Sequence, residues 1–172
     1  MVIAAETICV LANPGSGRNS KDVAAIDAAM RAFGSGATLR RWQKGEDLGD
    51  VVRRAVNDGF TTIVAAGGDG TVMGVATALM HTGVNLGVLP LGTFNYFARG
   101  LGLPQEPEPA AKAILNGHPK AISVGSVNGQ VFLNNASLGV YPAILQARED
   151  AYSRFGRSRL LAHWTTLRTI AR

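Results

Sequence analysis

The chain has 172 residues, 47% of them hydrophobic and 17% charged, and carries a formal net charge of +5. That is enough for one good core, or for one domain and part of a second, and it excludes a disordered chain. The positive balance suits an anionic partner (nucleotide, acidic lipid or nucleic acid) and equally an ordinary basic enzyme, while an aromatic content of 6% leaves few stacking platforms for a single-strand nucleic-acid binder.

Thr7 to Ala12 reads as the first strand, with the single cysteine, Cys9, as a small buried hydrophobe inside it. It runs into Asn13-Pro14-Gly15-Ser16-Gly17-Arg18-Asn19-Ser20, a small-residue turn. Ser20 is a candidate N-cap for a helix carrying Val23, Ile26, Met30 and Phe33 and ending at Gly34. Ala37 to Trp42 is a weak second strand, because Arg40 and Arg41 break the alternation. Glu46 to Asn57 follows as a helix closed by Gly59.

The central stretch comes next. Thr61 to Ala65 is a β-branched and apolar run, expected as a buried strand; Gly67, Gly68 and Gly70 surround Asp69, and Val72, Val75, Ala76 and Leu79 then recur at helical spacing. Strand, glycine turn and helix together make an anion pocket. The glycines let backbone N–H groups approach, the helix aims its positive end at the same point, and Thr71 can lend a hydroxyl. A carboxylate repels phosphates unless a divalent cation or a reacting hydroxyl lies between, so Asp69 points to phosphate chemistry. Its structural alternative is to cap the helix starting near Thr71.

Asn85 to Leu89 is a further strand, ended by Pro90-Leu91-Gly92-Thr93. Phe94 to Leu101 forms a short helical or irregular turn, and Ala110 to Leu115 a helix closed by Asn116-Gly117. After Pro119 the pattern changes: Ala121–Val127 and Gln130–Asn134 flank Asn128-Gly129, a strong hairpin signal. Ile144 to Arg172 reads as a basic helical tail with Arg148, Arg154, Arg157, Arg159, Arg168 and Arg172. The expected fold is α/β: a Rossmann-like nucleotide-binding domain over residues 1–119, then residues 120–172 as the start of a β-rich second domain, so that the chain reads as a fragment.

Glycine-bearing turns follow the first, third and fourth strands, at Asn13–Gly17, Gly67–Thr71 and Gly92–Asn95. In a parallel sheet these gather at the carboxyl ends, where ligands bind. Gly15-Ser16-Gly17 with Ser20 is a weak dinucleotide fingerprint. Arg40-Arg41 at the end of the second strand would suit a 2′-phosphate, which keeps an NADP reductase in view, and nothing matches the P-loop pattern. Arg99 is placed either to reach a phosphate or to lie exposed on its short helix. His81, His118 and His163 are scattered, and no cluster has zinc spacing. No signal peptide is evident. No apolar run approaches the roughly 20 residues that span a bilayer, so a lipid substrate would be met from the membrane surface.

Asn13-Pro14-x-Ser16-Gly17, Gly67-Gly68-Asp69-Gly70-Thr71 and Leu89-Pro90-Leu91-Gly92-Thr93-x-Asn95-x-x-Ala98-Arg99 resemble, in this order, the catalytic domain of diacylglycerol kinases, a group that includes sphingosine kinases and bacterial lipid kinases. Val127 to Gly139 is similar to the start of that family's second domain, although Val140-Tyr141-Pro142 stands where the family often has an Asp-Ala pair, and a threonine common near the end of the second strand is replaced around Arg41 to Gln43. The resemblance implies a lipid kinase that transfers the γ-phosphate of ATP, with Mg2+, to a lipid hydroxyl. It implies a cytoplasmic location peripheral to the membrane, inactivity of the fragment alone and no nucleic-acid partner; a homo-oligomer is left open. The expected nucleotide site comprises Asn13, Pro14, Ser16, Gly17, Gly67, Gly68, Asp69, Gly70, Thr71, Gly92, Thr93 and Asn95, with Asp69 catalytic and no metal ligand assigned. Of these, the resemblance itself puts Asn13, Ser16, Gly17, Gly67 to Thr71, and Thr93 on the nucleotide. The alternatives are a soluble kinase of the NAD kinase or phosphofructokinase type, and a nucleotide-sensing module that turns over nothing.

Overall fold

The computed structural model describes residues 7–13, 20–43 and 45–136, and beyond them positions 144, 147, 150, 151 and 164, which are helical. The arginines expected in the basic tail, together with Pro14, Ser16, Gly17 and Val140 to Pro142, lie outside the described residues. The chain divides into two compact units, Met1–Asn134 and Asn135–Arg172.

The first unit is built on four parallel strands, β1 (Ile8–Ala12), β2 (Thr38–Arg41), β3 (Thr62–Gly67) and β4 (Asn85–Pro90), in the spatial order β2-β1-β3-β4. Between them run α1 (Ser20–Phe33), α2 (Leu48–Asn57) and α3 (Asp69–Leu79); α4 (Tyr96–Gly100) and α5 (Pro107–Asn116) follow β4. The period of two along a strand decides which helix covers which face. Cys9, Leu11, Ile63, Ala65 and Val88 pack with α2, α3 and α4 through Val51, Val52, Val72, Val75 and Phe97. Ile8, Val10, Ala12, Val64, Ala66 and Leu89 pack with α1 and α5 through Ile26, Phe33, Ala110 and Ala111. Both faces of β1 and β3 are therefore covered, which is why these strands read as unbroken apolar runs. The expected Rossmann-like α/β architecture is the one observed.

Local differences have local causes. β3 runs two residues beyond Ala65, because β1 and β4 supply partners on both sides: Ala66 lies between Ala12 and Leu89, and Gly67 pairs with Pro90. α5 starts at Pro107 rather than Ala110, since the first-turn N–H groups have no intrahelical acceptor and proline costs nothing there. α2 is capped by Asp47, whose side chain accepts from the Asp50 N–H at 3.0 Å, and Gly59 just beyond it adopts a positive φ of 89°. Arg40, which broke the alternation of β2, is spent on this same corner: it pairs with Asp58 at 2.7 Å and lies 5.1 Å from the Phe60 ring centroid. The hairpin forms as a two-stranded sheet, β5 (Gly125–Val127) and β6 (Gln130–Phe132), with positive φ at both Asn128 and Gly129. Leu133, just past β6, packs against the core that contains Cys9.

Two core positions yield tests. Thr62 is 1% exposed in β3, and its hydroxyl has no hydrogen-bond partner among the described residues. Thr62→Val keeps the shape and removes that cost, so the midpoint of urea unfolding is expected to rise, by about 1 kcal/mol in stability. Burial pushes the Cys9 thiol from 9.0 up to about 11, with Arg40 pulling it down and Asp58 pushing it up by lesser amounts. Between these values the folded chain holds a proton that the unfolded chain has lost. This contribution is therefore intact below pH 9.0 and declines as pH rises towards 11. Urea titrations across that window should show the wild type losing stability relative to Cys9→Ala.

Candidate functional site

The carboxyl ends of β1, β3 and β4 lie side by side, and the turns that follow them are bonded together. Asn13 donates its backbone N–H to Ala66 O at 3.3 Å and its side-chain Nδ2 to Thr71 Oγ1 at 3.1 Å. Leu91 N–H donates to Gly67 O at 3.0 Å. Gly67 leaves room for Thr71, whose Oγ1 would lie 2.5 Å from a β-carbon at that position. Gly68 and Gly92 approach backbone to backbone: a β-carbon on Gly92 would stand 2.5 Å from Gly68 Cα and 2.8 Å from Asn95 Oδ1. Only glycine allows that contact.

Asn95 accounts for the shape of the β4 turn. It is 7% exposed and takes the left-handed conformation (φ 52°, ψ 45°) that asparagine tolerates better than most residues. Its Oδ1 accepts from Gly92 N–H at 2.9 Å, and its Nδ2 donates to Gly92 O at 3.0 Å and to Pro90 O at 3.2 Å. The Gly92 N–H and the Asn95 amide, both counted among the expected nucleotide contacts, are thus used inside the turn. Thr93 is exposed at its tip. Arg99 is also exposed, and its Nε donates to the Phe94 carbonyl at 2.8 Å.

Helix α3 begins at Asp69, with Gly68 as an extended N-cap. Its first backbone bond runs from Val72 N–H to Gly68 O at 3.1 Å, so the N–H groups of Asp69, Gly70 and Thr71 have no intrahelical acceptor. A β-carbon on the exposed Gly70 would meet nothing within 4 Å among the described residues. Asp69 does not cap its own helix. Its Oδ1 accepts from Phe97 N–H of α4 at 3.0 Å, 28 residues away, and among the described residues the carboxylate makes no other hydrogen bond. One oxygen is anchored and the other is available beside an open, N–H-rich helix start. Asp69 is the one acid of these turns, and no group of three His, Cys, Asp or Glu side chains that could hold a metal occurs among the described residues. The link to Phe97 and the inward use of Asn95 had no signal in sequence, since neither follows a local spacing rule.

The geometry defines an α/β domain whose glycine turns after β3 and β4 meet the end of β1 beside a single carboxylate. The diacylglycerol kinase catalytic domain matches residues 7–127, and the chain belongs to that family. A probable lipid kinase YegS-like of Pseudomonas aeruginosa (strain UCBPP-PA14) is 43% identical over 128 residues, covering 73% of this chain and 42% of the relative. The diacylglycerol kinase of Bacillus subtilis (strain 168) is 36% identical over 135 residues, covering 76% and 45%. The crystal structure of a diacylglycerol kinase from Bacillus anthracis str. Sterne superposes with a TM-score of 0.61 at 28% identity, over 75% of this chain and 50% of that one. The chain thus spans about half the length of the relatives it matches or less. No helix among the described residues is long and apolar enough to cross a membrane.

The packing of the two turns gives a direct test. Gly92→Ala drives a β-carbon into backbone and should cost about 1–3 kcal/mol in chemical denaturation. Asn95→Ala removes the amide that closes the same turn and should cost about as much. Because both act on one turn, the double variant should fall well short of the sum of the singles.

Proposed function

We propose that the protein is an ATP-dependent lipid kinase that transfers the γ-phosphoryl group to a lipid hydroxyl, acting at the cytoplasmic membrane surface. The observation that carries this reading is the pairing of an open backbone at Gly70, on a helix start with free N–H groups, with an Asp69 carboxylate that keeps one oxygen unbonded among the described residues. Membership of the diacylglycerol kinase catalytic-domain family and the kinase names of the relatives support the same direction.

The residues fit a polyphosphate in a specific way. A β-carbon at Gly70 would meet none of the described residues, and the first-turn N–H groups of Asp69, Gly70 and Thr71 lie at the positive end of α3. Thr71 and Asn13 hold that start against the end of β1. The lipid hydroxyl oxygen attacks the γ-phosphorus in line, and the bond from that phosphorus to the bridging oxygen breaks. ADP leaves, and the hydroxyl proton passes to the unbonded oxygen of Asp69. Mg2+ carried by ATP would neutralise the phosphoryl oxygens, with its ligands drawn from phosphate and water, so that the unbonded oxygen of Asp69 stays available for the proton. Residues 1–119 form the nucleotide domain in this reading, and the β5–β6 hairpin begins the β-rich domain of residues 120–172, which in the full-length protein supplies further acids; the 172-residue chain alone binds nucleotide without turning over lipid.

Transfer of labelled phosphate from ATP by the full-length protein is expected with diacylglycerol or sphingosine. Preference for NAD or fructose 6-phosphate would assign a soluble kinase, and no transfer to any acceptor a sensor. Asp69→Asn retains an acceptor for Phe97 N–H, so it should fold normally and lose about 10²–10⁴-fold in kcat. Gly70→Ala should keep or slightly raise the melting temperature while weakening ATP binding by about tenfold, measured by calorimetry. Unchanged affinity in that variant would remove the phosphate from this helix start.

A further inference from the structure

Beside the crevice lies a feature that phosphate chemistry does not require. Phe94 is 61% exposed, Tyr96 60% and Leu101 48%. The two aromatic rings stack 5.4 Å apart at an interplanar angle of 2°. Single exposed apolar residues are ordinary, but two parallel rings and a leucine flanking one short helix form a patch. The neighbouring Phe97 and Ala98 are buried, so α4 packs through those two and leaves its aromatic start outside. The patch is also held stiffly. Asn95, between the two rings in sequence, is locked by three side-chain hydrogen bonds, and Asp69 fixes the next turn at Phe97 N–H.

We infer that Phe94 and Tyr96 form an interfacial anchor that enters the lipid–water boundary and brings the membrane surface to the Gly92 turn. This rests on the lipid-kinase reading. The rings already satisfy each other at stacking distance, which leaves no slot for a nucleobase between them. Aromatic rings with one polar tip settle at headgroup depth, as tyrosine does. The Nε contact to the Phe94 carbonyl keeps the Arg99 guanidinium next to the pair, where its charge complements anionic headgroups, in a chain of net charge +5. The anchor shares its turn with Gly92, which abuts Gly68 of the phosphate-binding turn. A lipid held here therefore presents its headgroup close to Asp69, and no chain-spanning movement is needed.

The test uses the full-length protein and vesicles of phosphatidylcholine with and without phosphatidylglycerol. Phe94→Trp should show a blue-shifted emission on vesicles and quenching by brominated phosphatidylcholine, above the response of the wild type. Phe94→Ser with Tyr96→Ser should lower vesicle affinity about tenfold or more in co-sedimentation, with phosphoryl transfer to a short-chain, water-soluble diacylglycerol retained. Arg99→Gln should reduce the added affinity for phosphatidylglycerol vesicles. The inference is overturned if the tryptophan at position 94 is not quenched and the serine variant binds vesicles like the wild type. Protection of position 94 from aqueous quenchers without vesicles, by the protein's own second domain or by a second copy, would overturn it equally. Quenching with no transfer to any lipid would instead sink the kinase reading and leave the anchor standing.

Discussion

Two peptide backbones touch where β3 and β4 end, and the crevice depends on that contact. Gly68 and Gly92 approach so closely that a single methyl group on Gly92 would overlap the facing α-carbon. The approach is possible because the strands are parallel neighbours whose ladder runs to its last pair, Gly67 with Pro90, before either chain turns away. From that pair the β3 chain enters α3 and the β4 chain bends through Asn95, so the two turns leave the sheet from a common edge. Asn13 brings the end of β1 into the same arrangement through Ala66 and Thr71. The glycines are therefore not interchangeable. Gly67 and Gly92 make room for protein atoms, whereas Gly70 is exposed and a β-carbon there would meet none of the described residues.

Asp69 joins structure to chemistry. Helix α4 has five residues, too few to hold itself by its own backbone bonds, and one of its unsatisfied N–H groups is met by Asp69 Oδ1. The same bond fixes the carboxylate plane and so aims the second oxygen. For the proposed proton transfer such an orientation matters, because a group fixed before the substrate arrives loses little to reorganisation when charge develops. Removing the whole side chain would loosen α4 and take away the oriented oxygen together. An isosteric amide separates them, because it can still accept the Phe97 N–H.

The strands were legible because they are buried on both faces, and Ile8–Ala12 and Thr62–Ala66 carry no polar interruption except Thr62. The turns were legible because glycine, asparagine and proline have few other uses after such strands, and the Asn128-Gly129 hairpin followed from its two positive φ angles. What escaped reading was the partnering of polar side chains across the fold. Asp69 pointed to phosphate chemistry, with a local cap as its structural alternative, and its carboxylate instead accepts from a helix 28 residues away. Asn95 suggested a ligand contact, yet its amide is folded back on Pro90 and Gly92. Arg40 suggested a phosphate partner and is paired with Asp58 and Phe60 at the foot of α2. Spacing along the chain carries none of this, since each pairing depends on which strand lies next to which.

The order β2-β1-β3-β4 explains why the crevice forms at these three turns and not at the end of β2. β1 and β3 are central, and the connections leaving them pass to opposite faces: α1 covers the face of Val10 and Val64, and α3 the face of Leu11 and Ala65. The helices that follow β1 and β3 therefore lie on opposite faces of the sheet, the topological switch point at which open α/β sheets hold ligands. β4 lies beside β3, and its turn meets the β3 turn at the Gly68–Gly92 contact. β2 lies on the far side of β1, and its last residues, Arg40 among them, turn towards the C-terminal end of α2. At the strand ends the turns of β3 and β4 thus meet Asn13 from β1, and the exposed rings of Phe94 and Tyr96 flank the β4 turn. In the proposed reaction an acceptor carried on a surface and a donor carried on backbone amides would meet there only if that turn stays rigid. The three bonds from Asn95 and the one from Asp69 keep it so.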